Sequence, residues 1–307
     1  MYLYTAFGVC IKSEICIPQF TLTENRQADV SIKFGNVKSL LPRDIGDDRA
    51  VQIGEREICF YWDQIGLFLV RDGHEIIIEA DPGAEEKLLR LPLIGIALAA
   101  LLQQRGMLVL HASAVSIGDG AVALLGWKGR GKSTTAAMLY RRGHPVISDD
   151  IVAMENIESG IPSIVPGFPN FKLMPETVVS VLGDNPDVLS ECYTGAEKRF
   201  RSVSDNFLRE KVSLKAIYVL EDGADLKAEL LKPQDAITTL IANTFTARYG
   251  KQLLQNEQAM TNLRQCSNVV NYTPVYRLER PRSIDLLGDL AELIESQCEV
   301  KPLARSI

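Results

Sequence analysis

The chain has 307 residues, of which 46% are hydrophobic and 23% are charged, so it has ample apolar side chains for a folded core and is not a disordered chain. That length suits one large domain or two smaller ones. The formal net charge of −6 at pH 7 argues against a general nucleic-acid binder, because affinity for the phosphate backbone comes from clustered Lys and Arg.

Residues 1–80 alternate short apolar stretches with Gly, Asp and Asn turns. The stretches YLYTAFGVCI, DVSIKFG, AVQIG, EICFYWD, LFLVRD and HEIIIEA have the composition of strands. We therefore predict a small, mainly β N-terminal domain over 1–82. Asp81 and Pro82, followed by two glutamates, mark the start of a helix that stops at Gly106. This helix, over 83–106, is expected to bridge two domains.

The remainder, 107–307, alternates strands and helices, which predicts an α/β domain. MLVLHASAVSI and AVALLG are apolar strands joined by a tight turn at 118–120. LKAIYVLE and TPVYRLE predict two further strands. PQDAITTLIANTF, QLLQNEQAMTNLRQC and SIDLLGDLAELIESQ have the apolar spacing of helices.

The compartment is predicted from the cysteines and the first residues. The six cysteines form no C-x-x-C pair and have no histidine at ligand spacing, so a zinc site is not expected. The opening MYLYTAFGVCIKSE lacks the basic segment and apolar core of a signal peptide, which predicts a cytoplasmic chain with reduced thiols. The most apolar run, 91–102, is shorter than the ~20 residues that span a bilayer, so no membrane partner is expected.

A glycine-rich loop follows the strand VALLG directly. Its residues match G-x-x-x-x-G-K-[ST], and KSTTAAMLYRR supplies the helix that this motif requires. Backbone N–H groups at such a helix N-terminus attract phosphate, the lysine reaches the β- and γ-phosphate oxygens, and the serine hydroxyl can bind Mg²⁺. The alternative is a glycine-rich turn that caps a helix. The predicted nucleotide-contacting residues are Gly126, Gly129, Arg130, Gly131, Lys132, Ser133 and Thr134. Solvent exposure is favoured over phosphate or base contact for the long loop side chains Trp127, Lys128 and Arg130.

Two adjacent aspartates follow this loop at the end of another predicted strand. In HPVISDDIVAM the strand ends in Asp149 and Asp150, where α/β sheets gather ligands. Neighbouring residues of a strand point to opposite faces, so we expect one carboxylate to hold Mg²⁺ and the other to act as base on an acceptor hydroxyl. The alternative is a turn in which an aspartate caps the next element. His111, in the apolar strand LVLHASAV, is by itself typical of a buried core histidine.

The segments LHASAV, GWKGRGKST and VISDDIV, in this order and spacing, resemble the HPr kinase/phosphorylase family of bacterial serine kinases. The resemblance implies a phosphate-loop catalytic domain of the HPr kinase/PEP carboxykinase-like fold that uses ATP and Mg²⁺. It implies that Asp149 deprotonates the acceptor serine and that His111 influences the protonation of Asp149. The implied catalytic residues are Asp149, His111 and Lys132, and the implied metal ligands are Ser133 and Asp150.

Other parts of the family pattern are matched less closely. Lys198, Arg199 and Arg201 are candidates for stabilising the transferred phosphate, with a solvated basic run as the alternative. Thr134 stands where the parent family commonly has an acidic residue, which departs from the pattern for the phosphorylase reaction.

Over its whole length the chain resembles HPr-kinase-related proteins of lasso-peptide gene clusters. The segments that carry this likeness are AFGVCIKSEICIP, RGMLVLHASAV, VPGFPNFKLMPE and RLERPRSIDLLGDLAELI. The resemblance implies phosphorylation of a serine hydroxyl on a precursor peptide or small protein, with the N-terminal β domain as a candidate peptide-recognition module. Relatives in the parent family form oligomers, which raises the prospect of a homo-oligomer. The alternatives are a non-catalytic, nucleotide-dependent binding or regulatory protein and a true HPr kinase/phosphorylase of carbohydrate regulation.

Overall fold

The computed structural model describes residues 1–24, 26–37, 49–155, 157–158, 160–193, 195–248 and 257–299. Within these ranges two large sheets and a two-stranded ribbon combine with helices that pack against them. The predicted mixed α/β class is confirmed.

The first sheet is built from the N-terminal residues and has eight strands in the order β3-β1-β2-β4-β8-β7-β6-β5. The strands are β1 Tyr2–Ala6, β2 Val9–Ser13, β3 Thr21–Leu22, β4 Val30–Phe34, β5 Arg49–Ile53, β6 Glu57–Trp62, β7 Gly66–Arg71 and β8 Glu75–Ala80. The run YLYTAFGVCI, predicted as one stretch, is a hairpin. Its turn is formed by Phe7 and Gly8, whose φ angles are +50° and +72°.

One interrupted helix follows this sheet. It consists of α1, Glu86–Pro92, a π-helical turn, Leu93–Ala97, and α2, Leu98–Gln104. Pro92 has no N–H to donate, and the wider turn begins directly after it. The helix is shorter at both ends than the predicted 83–106. Its buried side chains belong to one apolar cluster with the N-terminal sheet and with Val109 and Ile151. The division of the chain at 82 and 106 stays a prediction.

The second sheet has nine strands, with the path β12-β10-β11-β17-β14-β13-β9 and with β19 between β17 and β18. The strands after the helix are β9 Leu108–Leu110, β10 Ser113–Ile117, β11 Gly120–Leu125, β12 Val146–Asp149, β13 Val152–Glu155, β14 Ser163–Val165, β15 Asn170–Leu173, β16 Arg199–Ser202, β17 Val212–Asp222, β18 Lys227–Leu230 and β19 Val275–Arg280. Strands β11, β17 and β19 run parallel, so their carboxyl ends share one edge of the sheet. Strands β15 and β16 form the separate ribbon.

Helices cover both faces of this second sheet. They are α3 Lys132–Arg141, α4 Pro175–Thr177 continued by a π-helical turn Val178–Leu182, α5 Pro233–Ala242, α6 Phe245–Arg248, α7 Glu257–Tyr272 and α8 Leu287–Glu299, with short 3-10 turns Pro186–Val188 and Ser204–Asn206. Helices α3 and α8 contribute to one apolar cluster, and α5 and α7 to another. Because both faces are covered, β11 is buried at every position, which explains its unbroken apolar sequence. The start of the predicted helix QLLQNEQAMTNLRQC, before residue 257, lies outside the described residues.

All six cysteines are free thiols, and five of them are buried. In the described part of the chain, no helix has the length and apolar character needed to cross a bilayer.

Candidate functional site

The glycine-rich loop, residues 126–131, connects the end of β11 to the start of α3. Gly126 and Gly131 have φ angles of +142° and +80°. A Cβ at Gly126 would lie 2.9 Å from the Leu220 carbonyl oxygen, and one at Gly131 would lie 2.4 Å from Nη2 of Arg280. Gly129, with φ of +84°, has no atom within 4 Å of its ideal Cβ position and borders open space. The first-turn N–H groups of α3 have no partners inside the helix, so the loop and helix together suit an anion such as phosphate.

Lys132 is the first residue of α3 and is 7% exposed. Its ammonium donates a hydrogen bond of 2.7 Å to the carbonyl oxygen of Gly126, so the side chain folds back across the loop. Trp127, at 71%, and Lys128 are exposed as predicted, whereas Arg130 is only partly exposed because it pairs with Asp222.

Arg130 and Thr134, which were also predicted to contact the nucleotide, contact other protein groups. Arg130 forms an ion pair with Asp222 at the end of β17, and its carbonyl oxygen accepts a hydrogen bond of 2.9 Å from Arg280. The Thr134 hydroxyl lies 3.1 Å from the hydroxyl of Thr177 in α4. The contacts of Arg130 hold the loop to the ends of β17 and β19, and the contact of Thr134 joins the first turn of α3 to α4.

Asp149 is the last residue of β12 and is 2% exposed. Its Oδ1 accepts hydrogen bonds from the hydroxyls of Ser113, at 2.6 Å, and Ser133, at 2.9 Å. Its Oδ2 accepts a hydrogen bond of 3.0 Å from the main-chain N–H of Lys172. Ser113 lies directly opposite Asp149 in the β10–β12 pair, so strand pairing places one donor and the first turn of α3 places another. The helix that begins directly after the glycine-rich loop is thus in contact with the first aspartate.

Asp150 does not continue the strand. Its φ of +73° is left-handed, so the predicted strand ends one residue early and the alternation of faces does not apply to this pair. Its Oδ2 lies 2.7 Å from Nζ of Lys172, and its Oδ1 lies 3.1 Å from Nδ1 of His111. Burial opposes ionisation, but the charges and hydrogen bonds of Lys172 and His111 outweigh it and hold the pKa of Asp150 well below its ordinary value. Burial likewise opposes the charge on Lys172, yet Asp150 raises the pKa of that ammonium.

The predicted strand LVLHASAV is interrupted at His111, which lies between β9 and β10 and next to Asp150. Its Nδ1 also lies 3.0 Å from the main-chain carbonyl oxygen of Asp150, so this nitrogen carries the hydrogen in that contact. Its ring packs edge-on against Phe245, with centroids 5.8 Å apart. The resemblance places the influence of His111 on Asp149, whereas the contact seen in the structure is with Asp150.

The predicted metal ligands, Ser133 and Asp150, each contact other protein groups. The Ser133 hydroxyl lies on Asp149, and both oxygens of Asp150 are engaged by cationic or N–H donors. Among the described residues there is no cluster of three or more His, Cys, Asp or Glu side chains that could hold a metal by themselves. A hydroxyl and carboxylates nevertheless fit Mg²⁺, which binds through one or two carboxylates together with water and substrate phosphates.

The structure adds Lys172, which the sequence did not single out. It lies in β15, within the stretch NFKL, and contacts both aspartates. The position of this lysine between Phe171 and Leu173 is a weak local signal.

The two arginines of the basic run after residue 197 contact nearby protein groups. Arg199 donates to the carbonyl oxygen of Ala196, and Arg201 forms an ion pair of 2.9 Å with Asp184. Lys198 is exposed. The role of these cations in binding transferred phosphate stays a prediction.

No known family model and no curated protein matches this chain. Among solved structures, it is similar to the Hpr(Ser) kinase/phosphatase from Coxiella burnetii, with 12% sequence identity and a TM-score of 0.34. The match covers 62% of this chain and 95% of that one. At this distance the likeness carries no argument, and the function rests on the residues of this chain.

Proposed function

We propose that the chain is an ATP- and Mg²⁺-dependent serine kinase that phosphorylates a hydroxyl of a ribosomal, lasso-type precursor peptide or of a small protein. The observation that carries this proposal is the 2.9 Å hydrogen bond from Ser133 to Asp149. It places a buried carboxylate one side chain away from the loop that is shaped for phosphate. A turn that merely caps a helix has no need of this contact.

The loop supplies the groups that bind the nucleotide. Its backbone N–H groups and the ammonium of Lys132 would hold the β- and γ-phosphates, and Ser133 together with Asp150 would hold Mg²⁺. Bound Mg²⁺ supplies positive charge that stabilises the transferring phosphoryl group. The side chain of Lys132 already folds back across the loop, so a phosphate bound there would lie within reach of its ammonium.

Asp149 is the group proposed to orient and deprotonate the acceptor hydroxyl. An ionised carboxylate accepts about four hydrogen bonds, and the described residues supply three donors to Asp149. The remaining position on Oδ2 suits an incoming hydroxyl. Proton transfer by a positioned base contributes roughly 10²–10⁴-fold to such a reaction.

The N-terminal sheet is the proposed peptide-recognition surface. The main-chain N–H of Phe7, in the β1–β2 turn, donates to the Pro166 carbonyl oxygen at 2.9 Å, and the Phe7 ring contacts Phe168 edge-on. The segment that contains Pro166 and Phe168 leads directly into β15. A peptide held along this sheet would therefore lie close to the acidic pair.

The test is to incubate the protein with ATP, Mg²⁺ and the precursor peptide encoded beside its gene, and to measure the peptide mass. The wild type should add phosphate, whereas Asp149→Asn should bind ATP normally and transfer phosphate roughly 10²–10⁴-fold more slowly. Asp289→Asn, on the exposed face of α8, is the matched control and should behave as the wild type. Unchanged transfer by Asp149→Asn would remove Asp149 from this role. ATP binding without any phosphorylated product would instead support a nucleotide-dependent binding protein.

A further inference from the structure

We propose that Lys172 is a positioning residue for phosphoryl transfer, because its main chain holds Asp149 while its side chain holds Asp150. This inference rests on the proposed function and deepens it. One residue of the β15–β16 ribbon thus sets the placement of both carboxylates.

The strand pairing explains how the main chain of Lys172 reaches Asp149. Lys172 lies opposite Phe200 in the antiparallel ribbon, and the N–H of Phe200 donates away from Lys172, to the Ser190 carbonyl oxygen. The two residues are therefore a non-hydrogen-bonded pair, and the N–H of Lys172 also points out of the ribbon. It meets Oδ2 of Asp149 at 3.0 Å. Strand β15 packs against β12 and α3, so the ribbon is held beside the acidic pair and the glycine-rich loop.

The side chain of Lys172 constrains Asp150 in the same way. Its ammonium is 2.7 Å from Oδ2 of Asp150, and the lysine side chain is 12% exposed. The Phe200 ring lies 5.9 Å from the ammonium on another side. Asp150 also has a left-handed backbone, which a residue other than glycine keeps only where its surroundings impose it. Without the ammonium, Asp150 would retain the contact of its Oδ1 with His111 but lose the contact that fixes Oδ2.

This geometry distinguishes a positioning role from direct contact with phosphate. The ammonium is committed to the half-buried carboxylate of Asp150, and the main-chain N–H is committed to Asp149. Lys172 therefore acts on the reaction through the two aspartates. Misplacement of a reacting group by about 1 Å can cost ~10²-fold in rate, so the loss should appear in kcat rather than in nucleotide binding.

The first test compares Lys172→Met and Lys172→Arg with the wild type, using Mg·ATP and the precursor peptide encoded beside the gene. Lys172→Met should lower kcat about 100-fold with the KM for ATP changed no more than about threefold. Lys172→Arg keeps the charge and should recover at least about tenfold of that loss. Lys232→Met, at the exposed residue that precedes α5, controls for removal of a lysine and should leave kcat unchanged. A purely structural role would lower the thermal unfolding temperature and leave Lys172→Arg no better than Lys172→Met.

The second test is a double-mutant cycle with Asp150→Asn. If Lys172 acts through Asp150, adding Lys172→Met to Asp150→Asn should lower kcat by no more than about twofold. A further loss of about 100-fold in the double variant would overturn the proposal, since it would show that the ammonium acts on the phosphate itself. The double variant removes the charges of both Lys172 and Asp150, so neither is left without its partner. Its kcat can therefore be compared with that of Asp150→Asn even if Lys172→Met alone does not fold.

The outcomes separate the two proposals. A wild type that neither phosphorylates the peptide nor hydrolyses Mg·ATP refutes the kinase function and this inference with it. A wild type that transfers phosphate, beside a Lys172→Met variant with the same kcat, refutes the role of Lys172 alone.

Discussion

Replacement of Gly131 by alanine tests how the glycine-rich loop is held in shape. Gly131 and Gly129 have nearly the same φ, +80° and +84°. Their surroundings differ, because a Cβ at Gly131 would lie 2.4 Å from Nη2 of Arg280 whereas a Cβ at Gly129 would meet nothing within 4 Å. The pair therefore separates the cost of a left-handed backbone from the cost of a displaced side chain.

The magnitudes follow from these contacts. A residue with a Cβ in the left-handed region costs about 1–2 kcal/mol, and this applies to both alanines. Gly131→Ala must also displace Arg280, which is 8% exposed and donates to the carbonyl oxygen of Arg130 at 2.9 Å. A buried donor left unpaired costs roughly 1–3 kcal/mol more. Gly129→Ala should thus lower the free energy of unfolding by about 1–2 kcal/mol, and Gly131→Ala by roughly 2–5 kcal/mol. The effect of alanine on the unfolded chain is the same at both sites and cancels in the comparison.

Urea denaturation of the nucleotide-free protein, followed by far-UV circular dichroism, measures both values. A double-mutant cycle adds the variant Arg280→Met. In that background, Gly131→Ala should lower the free energy of unfolding by no more than Gly129→Ala does. Equal costs for the two alanines in the wild-type background would refute the reasoning, because they would show that Arg280 does not brace the loop. A penalty at Gly131 that persists without Arg280 would do the same.

Two further predictions concern nucleotide binding and pH. Lys132→Met should weaken Mg·ATP binding by roughly 30- to 150-fold in calorimetry, since a charged hydrogen bond is worth about 2–3 kcal/mol, while the exposed Lys128→Met should bind within about threefold of the wild type. Glu295 accepts two hydrogen bonds from Arg142, at 2.8 and 2.7 Å, and these foremost lower its pKa. Because the folded pKa is depressed, Glu295→Gln should cost about 1–2 kcal/mol of stability at pH 7. The difference from the wild type should shrink as the pH falls below the ordinary carboxyl value of 4.5 and vanish only below the depressed pKa of the folded state. A difference that is as large at pH 3 as at pH 7 in urea unfolding would contradict the ion-pair origin of this stability.

Local patterns predicted the elements around the site well. The unbroken apolar run of β11 and the helix that begins at Lys132 follow from composition and from the glycine that precedes the helix. The division of the first predicted run into β1 and β2 was not foreseen. Its turn uses Phe7, whose left-handed φ has no sequence signal and is supported by a hydrogen bond to Pro166 far along the chain.

The arrangement within the acidic pair was also beyond local reasoning. A strand continued through Asp150 would send the two carboxylates to opposite faces, but the backbone turns left-handed at that residue. Both side chains then meet Lys172, which is 22 positions beyond Asp150. A contact of this kind depends on how two strands pack, and the spacing of residues along one chain does not contain it.

By itself, the sequence determined the chemistry available to this protein: a glycine-rich loop with its lysine and serine, a pair of aspartates, and the strands and helices that carry them. These features are local, since they depend on residue type and on periods of two or 3.6 residues. Only the tertiary structure decided which groups meet. Burial of Asp149 and partial burial of Asp150 required hydrogen-bond donors from distant segments, and the packing of β10, α3 and β15 supplied Ser113, Ser133 and Lys172.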